Sequence, residues 1–167
     1  EHTLTLTSID GHKRLLAKDK ENKVVFDGPV DTPEQLQAVP EAIRGKVVVA
    51  FGGGNTAAEE AAFLTKFAQK VYLVHRRDEL RACKVLCERV QANPLIEVLW
   101  SHAPLAIEGK DGVESVLLKD LKSGQERRLE AQGAFVFIGT TPNTGFLKDS
   151  LPLDPEGFIV TDLSMQT

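Results

Sequence analysis

One stretch constrains this chain more than any other: Lys46–Ala58 reads KVVVAFGGGNTAA. An apolar run breaks into consecutive glycines and then into alanine-rich sequence. Val47–Phe51 lacks the polar alternation of a half-exposed strand, as expected where a parallel sheet is covered on both faces. Gly52, Gly54 and Ala57 match G-x-G-x-x-A. In that pattern the first glycine allows a tight turn and the second lets backbone approach a pyrophosphate. The small third residue lets helix pack closely on strand. Amides at the start of the following helix have no partner within it and lie at the positive end of its dipole, so an anion satisfies them. Gly53 adds freedom, and Asn55 or Thr56 offers a side-chain hydrogen bond. A buried strand, a glycine turn and a helix in this order imply a dinucleotide.

The pattern continues downstream. Asn55–Ala68 reads as a helix with Ala57, Ala61, Leu64 and Ala68 on one face. Val71–Val74 is a second buried strand, and Leu80–Ala92 a second helix with Leu80, Cys83, Cys87 and Val90 along one stripe. Ile96–Trp100 is a third strand. Strand, helix, strand, helix, strand in this compass is a mononucleotide-binding half of a doubly wound fold. Ser115–Lys119 and Glu126–Glu130, joined through Lys122-Ser123-Gly124, form a hairpin excursion, and Ala134–Ile138 a last buried strand with Gly139 at its carboxyl end. The fold class is α/β: a Rossmann-like NAD(P)-binding domain, a parallel sheet with flanking helices and a β-hairpin or meander excursion.

Upstream, Thr3–Ser8 alternates with period two as a half-exposed strand does. Asp10-Gly11 is a turn signal, Arg14–Ala17 the return strand, Lys18–Lys23 a charged turn and Lys23–Phe26 a third short strand. Thr32, Pro33 and Gln35 make a capped helix start. Pro40 interrupts that helix, and Gly45 ends the segment after it. Residues 46–167 are thus expected to form the dinucleotide-binding domain, with residues 1–45 an unassigned region of strands and a short helix that can belong to it.

The choice of dinucleotide rests on the end of the second strand. NAD-specific sites place an Asp or Glu there to hold the ribose 2′-hydroxyl. Here Val74 runs into His75-Arg76-Arg77, and Asp78 comes only after the basic pair. Guanidinium offers planar, permanently charged donors to phosphate. Arg81 follows Arg77 by four positions, so the two share a face if the segment is helical. The 2′-phosphate of NADPH is expected among Arg76, Arg77 and Arg81, with His75 stacking on or bonding to the adenosine. The competing reading is a solvated basic loop paired with Asp78 and Glu79.

Composition excludes other classes. With 42% hydrophobic and 26% charged residues in 167, the chain is of globular type and able to bury a core. A net charge of −4 argues against nucleic acid or an anionic membrane surface as partner. No apolar run is long enough to span a bilayer, and the alternating first eleven residues are not signal-like. Cys83 and Cys87 form no disulfide framework, and a cytoplasmic setting is expected. Their C-x-x-x-C spacing suits buried packing on a helix better than a disulfide. Two sulfurs and no histidine pair at ligand spacing leave no metal site. His12 and His102 are expected in surface or capping roles, Trp100 in the core, and Glu59-Glu60 as complements of the helix dipole. No residue of this chain is expected to be catalytic.

GGGNTAAEEA (Gly52–Ala61), VHRRDELRA (Val74–Ala82) and FVFIGTTPNT (Phe135–Thr144) resemble signatures of the pyridine-nucleotide domain of low-molecular-weight thioredoxin reductases and their relatives. The resemblance runs from about Lys46 to Thr167. It implies a flavoenzyme in which an NADPH domain is inserted into an FAD domain, and in which hydride passes through flavin to a disulfide. It further implies that Asn55, Thr56 and Ala57 line the pyrophosphate, that Glu59 lies near the nicotinamide, and that His75, Arg76, Arg77 and Arg81 hold the phosphorylated ribose. Ile138-Gly139 would pass over the cofactor at the domain junction. Two departures qualify it. The chain has one glycine fingerprint and none for FAD, so the flavin half is expected in cis or in trans, with a thioredoxin-like or other redox protein as further partner. The segment Val24–Gly45 also lacks the family's C-x-x-C. The chain alone is therefore expected to bind NADPH and do little redox chemistry. Two rivals stay open: a dithiol-less relative of the ferredoxin–NADP reductase type, and a non-catalytic NADPH-binding module.

Overall fold

The computed structural model describes residues 2–19, 21–40, 44–139 and 141–167. The chain opens with an antiparallel meander of β1 (His2–Ile9), β2 (His12–Asp19) and β3 (Val24–Pro29). Asp10 and Gly11 turn the first hairpin with φ of 51° and 81°, the left-handed conformation that Asp and Gly tolerate. A short helix, α1 (Pro33–Gln37), starts as its sequence dictates. The Thr32 side chain accepts from the Gln35 amide, the Gln35 side chain accepts from the Thr32 amide, and Pro33 takes the first turn. The segment expected between Pro40 and Gly45 lies outside the described residues over 41–43, as do Lys20 of the charged turn and Thr140 of the last motif.

The nucleotide-type unit comes next as β4 (Val47–Gly52), α2 (Asn55–Leu64), β5 (Lys70–His75), α3 (Lys84–Ala92) and β6 (Ile96–Trp100). A second antiparallel sheet comprises β7 (His102–Glu108), β8 (Ser115–Asp120) and β9 (Glu126–Glu130). The last strand, β10 (Gly133–Phe137), returns to the parallel sheet, whose order is β10-β4-β5-β6. Registers such as Phe51 opposite Val74 and His75 opposite Trp100 bring the carboxyl ends of these strands together along one rim.

Side-chain alternation shows how the sheet is covered. Val48, Ala50, Val71 and Leu73 face one core with Ala57, Ala61 and Leu64 of α2 and Val90 of α3. Val49, Phe51, Val74 and Leu99 face a second core made with Val116, Leu118 and Leu129 of the antiparallel sheet. The apolar run of β4 is therefore buried twice, by helices on one side and by a sheet on the other. Leu15, Ala17, Val30 and Val39 of the amino-terminal region join the helix-side core. Lys13 of β2 adds a nearly buried ion pair to Glu60 of α2 at 2.8 Å, with its ammonium 4.4 Å from the centre of the Phe63 ring. Truncating a wholly buried side chain such as Leu64 or Leu73 costs about 2–5 kcal/mol in settings of this kind.

Several expectations are corrected. The second helix begins at Lys84 rather than Leu80, so residues 76–83 form an irregular loop. Cys83 is consequently an exposed N-cap rather than a packed position, and Cys87 is half-buried with its thiol toward the Ala82 carbonyl. The excursion takes the meander form of the expectation, with β7 preceding the hairpin of β8 and β9. β10 is an edge strand: Phe135 and Phe137 pack on the helix-side core while Val136 stays 58% exposed. Among the described residues nothing covers the outer end of that face, since the antiparallel sheet sits over β4 to β6. Glu59 and Glu60 lie beyond the first turn of α2, and Glu60 pairs with Lys13 rather than serving the dipole.

Candidate functional site

A cleft of about 290 Å³ opens along the rim formed by the carboxyl ends of the parallel strands. That rim is where open α/β sheets bind ligands. Phe51, Gly52 and Gly53 form its floor after β4, and Val74, His75 and Arg76 one wall after β5. Arg81 and the first residues of β7 close that side, while Phe137 and Ile138 after β10 close the other.

The glycine turn is built by close approach. Gly52 has φ of +148°, and a methyl group there would stand 2.6 Å from the Phe137 carbonyl oxygen and 2.7 Å from the Ala57 side chain. Gly53 lies directly on the His75 imidazole, leaving no room for a side chain. Gly54 differs: nothing stands within 4 Å of the place its side chain would occupy. That open space adjoins the free first amides of α2, whose N-cap is Gly54 itself with no side-chain cap. Anion and backbone can meet there.

The basic loop is fastened to this turn. The Gly53 carbonyl accepts from the amides of both Arg81 (2.6 Å) and Ala82 (3.1 Å). The Asn55 side-chain oxygen accepts from the Cys83 amide at 2.8 Å, so that oxygen serves the loop. At the other end of the loop the Ser101 amide donates to the Arg77 carbonyl at 3.2 Å. The Ser101 hydroxyl donates to Asp78, and Lys122 pairs with the same carboxylate at 2.8 Å. Lys122, followed by Ser101, holds the Asp78 carboxyl below the usual carboxylate range. With Asp78 so engaged, Arg76, Arg77 and Arg81 are exposed and make no ion pair among the described residues. Arg76 and Arg81 line the cleft that the glycine turn floors, and Arg77 is exposed next to Arg76 in the chain.

His75 is buried, and its Nε2 has no hydrogen-bond partner among the described residues. Burial pushes its pKa down; a backbone hydrogen bond with Glu79 opposes this, and the charges of Arg81, Arg77 and Arg76 reinforce it. The ring lies edge-on to Trp100 with centroids 6.5 Å apart. It therefore packs against Gly53 where the wall of the cleft meets its floor.

The chain's relatives bear on this geometry. A model of the pyridine nucleotide-disulphide oxidoreductases matches residues 6–167. The chain belongs to this family. A thioredoxin reductase of Treponema pallidum is 45% identical over 159 residues, covering 95% of this chain and 48% of the relative. One from Dictyostelium discoideum is 47% identical over 118 residues, covering 71% of this chain and 37% of the relative. The crystal structure of Lactococcus lactis thioredoxin reductase superposes with a TM-score of 0.70 at 25% identity, covering 99% of this chain and 62% of that one. The chain thus spans about half the length of the curated relatives it matches.

Within this member of the family, six of the residues singled out from sequence line the cleft: Gly52, Gly53, His75, Arg76, Arg81 and Ile138. Ala57 is buried beneath Gly52, while Gly54 is half-buried and Asn55, Thr56, Arg77 and Gly139 are exposed, none of these five lining the cleft. Glu59 is placed elsewhere, in a polar hollow with Gly11, Lys13, Asp31 and Lys66 on the far side of α2. The sequence reading missed Phe137 and the His102-Ala103-Pro104 segment. Their only sequence signal is position, immediately beside a parallel strand end. No described helix is long and apolar enough to cross a membrane, and no metal-binding cluster exists among the described residues.

Proposed function

We propose that this chain binds NADPH along the cleft and presents its nicotinamide to a flavin carried by an FAD-binding half, in cis or in trans. The observation that carries the reading is the set of unpaired arginines at the end of β5, tied through Gly53 to the start of α2. A cationic loop without counter-anions is unfavourable by itself and is relieved by a phosphate. The amides at the start of α2 hold the pyrophosphate, and Gly54 leaves room for it. Arg76, Arg77 and Arg81 hold the 2′-phosphate. Ile138 and Gly139, after β10, flank the nicotinamide end. Bound in this way, NADPH supplies a hydride to the flavin; the protein supplies position and charge. Residues 46–167 form the binding unit, and the amino-terminal meander braces its helix side.

A second reading is favoured by the thiols. The sequence has two cysteines, Cys83 exposed at the N-cap of α3 and Cys87 half-buried on the same helix, and neither lines the cleft. An acceptor other than a disulfide, as in a ferredoxin–NADP reductase, fits that distribution. A flavin-bearing partner half offered thioredoxin or ferredoxin separates the two.

Calorimetric titration tests the central reading. NADPH binds the wild-type chain more tightly than NADH, and Arg76→Ala with Arg77→Ala removes most of that difference. Each exposed arginine contact to phosphate is worth at most the low end of about 1.5–3 kcal/mol. Equal affinity for the two nucleotides in the wild-type chain defeats the assignment.

A further inference from the structure

We infer that His102 reads the edge of the adenine ring, accepting a hydrogen bond from its exocyclic amine, an inference that rests on the dinucleotide reading above. The sheet order places the residue. The glycine turn follows β4 and the arginine loop follows β5; the next strand outward is β6. His75 at the end of β5 pairs with Trp100 at the end of β6, and two residues later His102 lines the same cleft as His75 and Arg76. A nucleotide lying from β4 across β5 delivers its base to the segment after β6. Here that is His102-Ala103-Pro104.

The chemistry comes from one hydrogen bond. His102 Nδ1 lies 2.6 Å from the Trp100 carbonyl oxygen. A carbonyl only accepts, so Nδ1 carries the proton. Neutral imidazole has a single N–H, which leaves a lone pair and no proton at Nε2. No residue among those described donates to that nitrogen. Adenine offers an N–H there. Hypoxanthine places a carbonyl oxygen at the same position, so acceptor meets acceptor. A site whose acceptor is left unpaired by the wrong base discriminates against it.

The test compares NADPH with its reduced hypoxanthine analogue by calorimetry at mildly alkaline pH. The wild-type chain is expected to prefer NADPH by about three- to tenfold, the worth of one hydrogen bond. His102→Phe, which keeps a ring but no acceptor, brings the ratio close to one. As a readout independent of any variant, the ¹⁵N resonance of His102 Nε2 shifts on titration with NADPH and less with the analogue. Equal binding of the two nucleotides by the wild-type chain, a preference kept in His102→Phe, or an unmoved Nε2 resonance overturns the inference while leaving the phosphate reading intact. Failure of NADPH to bind the wild-type chain at all overturns both.

Discussion

The glycine turn makes opposite demands at its first and third positions, and substitution separates them. At Gly52 an added methyl group meets the Phe137 carbonyl oxygen at 2.6 Å and Ala57 at 2.7 Å, on backbone with φ of +148°. Neither neighbour is a flexible chain end: one is sheet backbone paired with Gly52 itself, the other a fully buried helix residue. Conformational strain and overpacking of this sort each cost about 1–3 kcal/mol. Gly52→Ala is therefore expected to destabilise by about 3–5 kcal/mol. At about 2–4 °C per kcal/mol for a chain of this size, the melting temperature falls by about 6–20 °C. Gly54→Val is the contrast. Its φ of −89° and ψ of −175° suit a β-branched residue, and the space is open. Only the poorer helix cap counts against it, about 1 kcal/mol. On the proposed reading the valine side chain instead occupies the volume assigned to the pyrophosphate. Loss of two charge-assisted contacts, about 3 kcal/mol or more, weakens binding at least about 100-fold. Thermal melts followed by circular dichroism, with calorimetric titration of NADPH, read both quantities. A folded Gly54→Val chain that keeps its affinity, or a Gly52→Ala chain that melts with Gly54→Val, refutes the reasoning.

Two other consequences concern the groups behind the arginines. Lys122→Ala frees Asp78 to compete with phosphate for the loop's guanidinium groups; NADPH affinity should fall about two- to fivefold with NADH unchanged, in keeping with an exposed ion pair, and parallel losses for both nucleotides would show that only folding was affected. His75 gives a pH signature. Its folded-state pKa is lowered, chiefly by burial, so the unfolded chain takes up the proton first. The stability this residue confers is whole above about pH 6.5 and is lost as the pH falls from there toward the folded-state value. Denaturant midpoints between about pH 8 and 5.5 should decline more steeply for the wild-type chain than for His75→Gln. Identical slopes would exclude a buried neutral imidazole.

Much of this was legible in the sequence because it is local. The run into Gly52-Gly53-Gly54, the boundaries of β6 and β9, and the Thr32–Gln35 cap each depend on residues a few positions apart. The misses depend on distant partners. Periodicity extended α3 back to Leu80, but Cys83, whose amide is held by Asn55 twenty-eight residues earlier, has the extended φ, ψ of −61° and 154° of an N-cap, so the helix begins only at Lys84. Asp78 reads as a neighbour of arginines, yet its partner is Lys122 on the far turn of the antiparallel sheet. Ala134–Ile138 reads as wholly buried because its composition does not reveal that it lies at a sheet edge. β7, with Pro104 in it and mixed polarity, carries a weak strand signal and is held by pairing with β8.

The doubly accepted Gly53 carbonyl has one more implication. A peptide plane that anchors the Arg81 and Ala82 amides cannot rotate without unseating the arginine loop. If the cleft holds NADPH as proposed, affinity for the diphosphate and discrimination for the extra phosphoryl group are mechanically joined, and damage to either spreads to the other. Combined substitutions at Gly53 and Arg81 should lose less than their separate losses predict, because a side chain at Gly53 meets the His75 ring and shifts the peptide plane that seats Arg81.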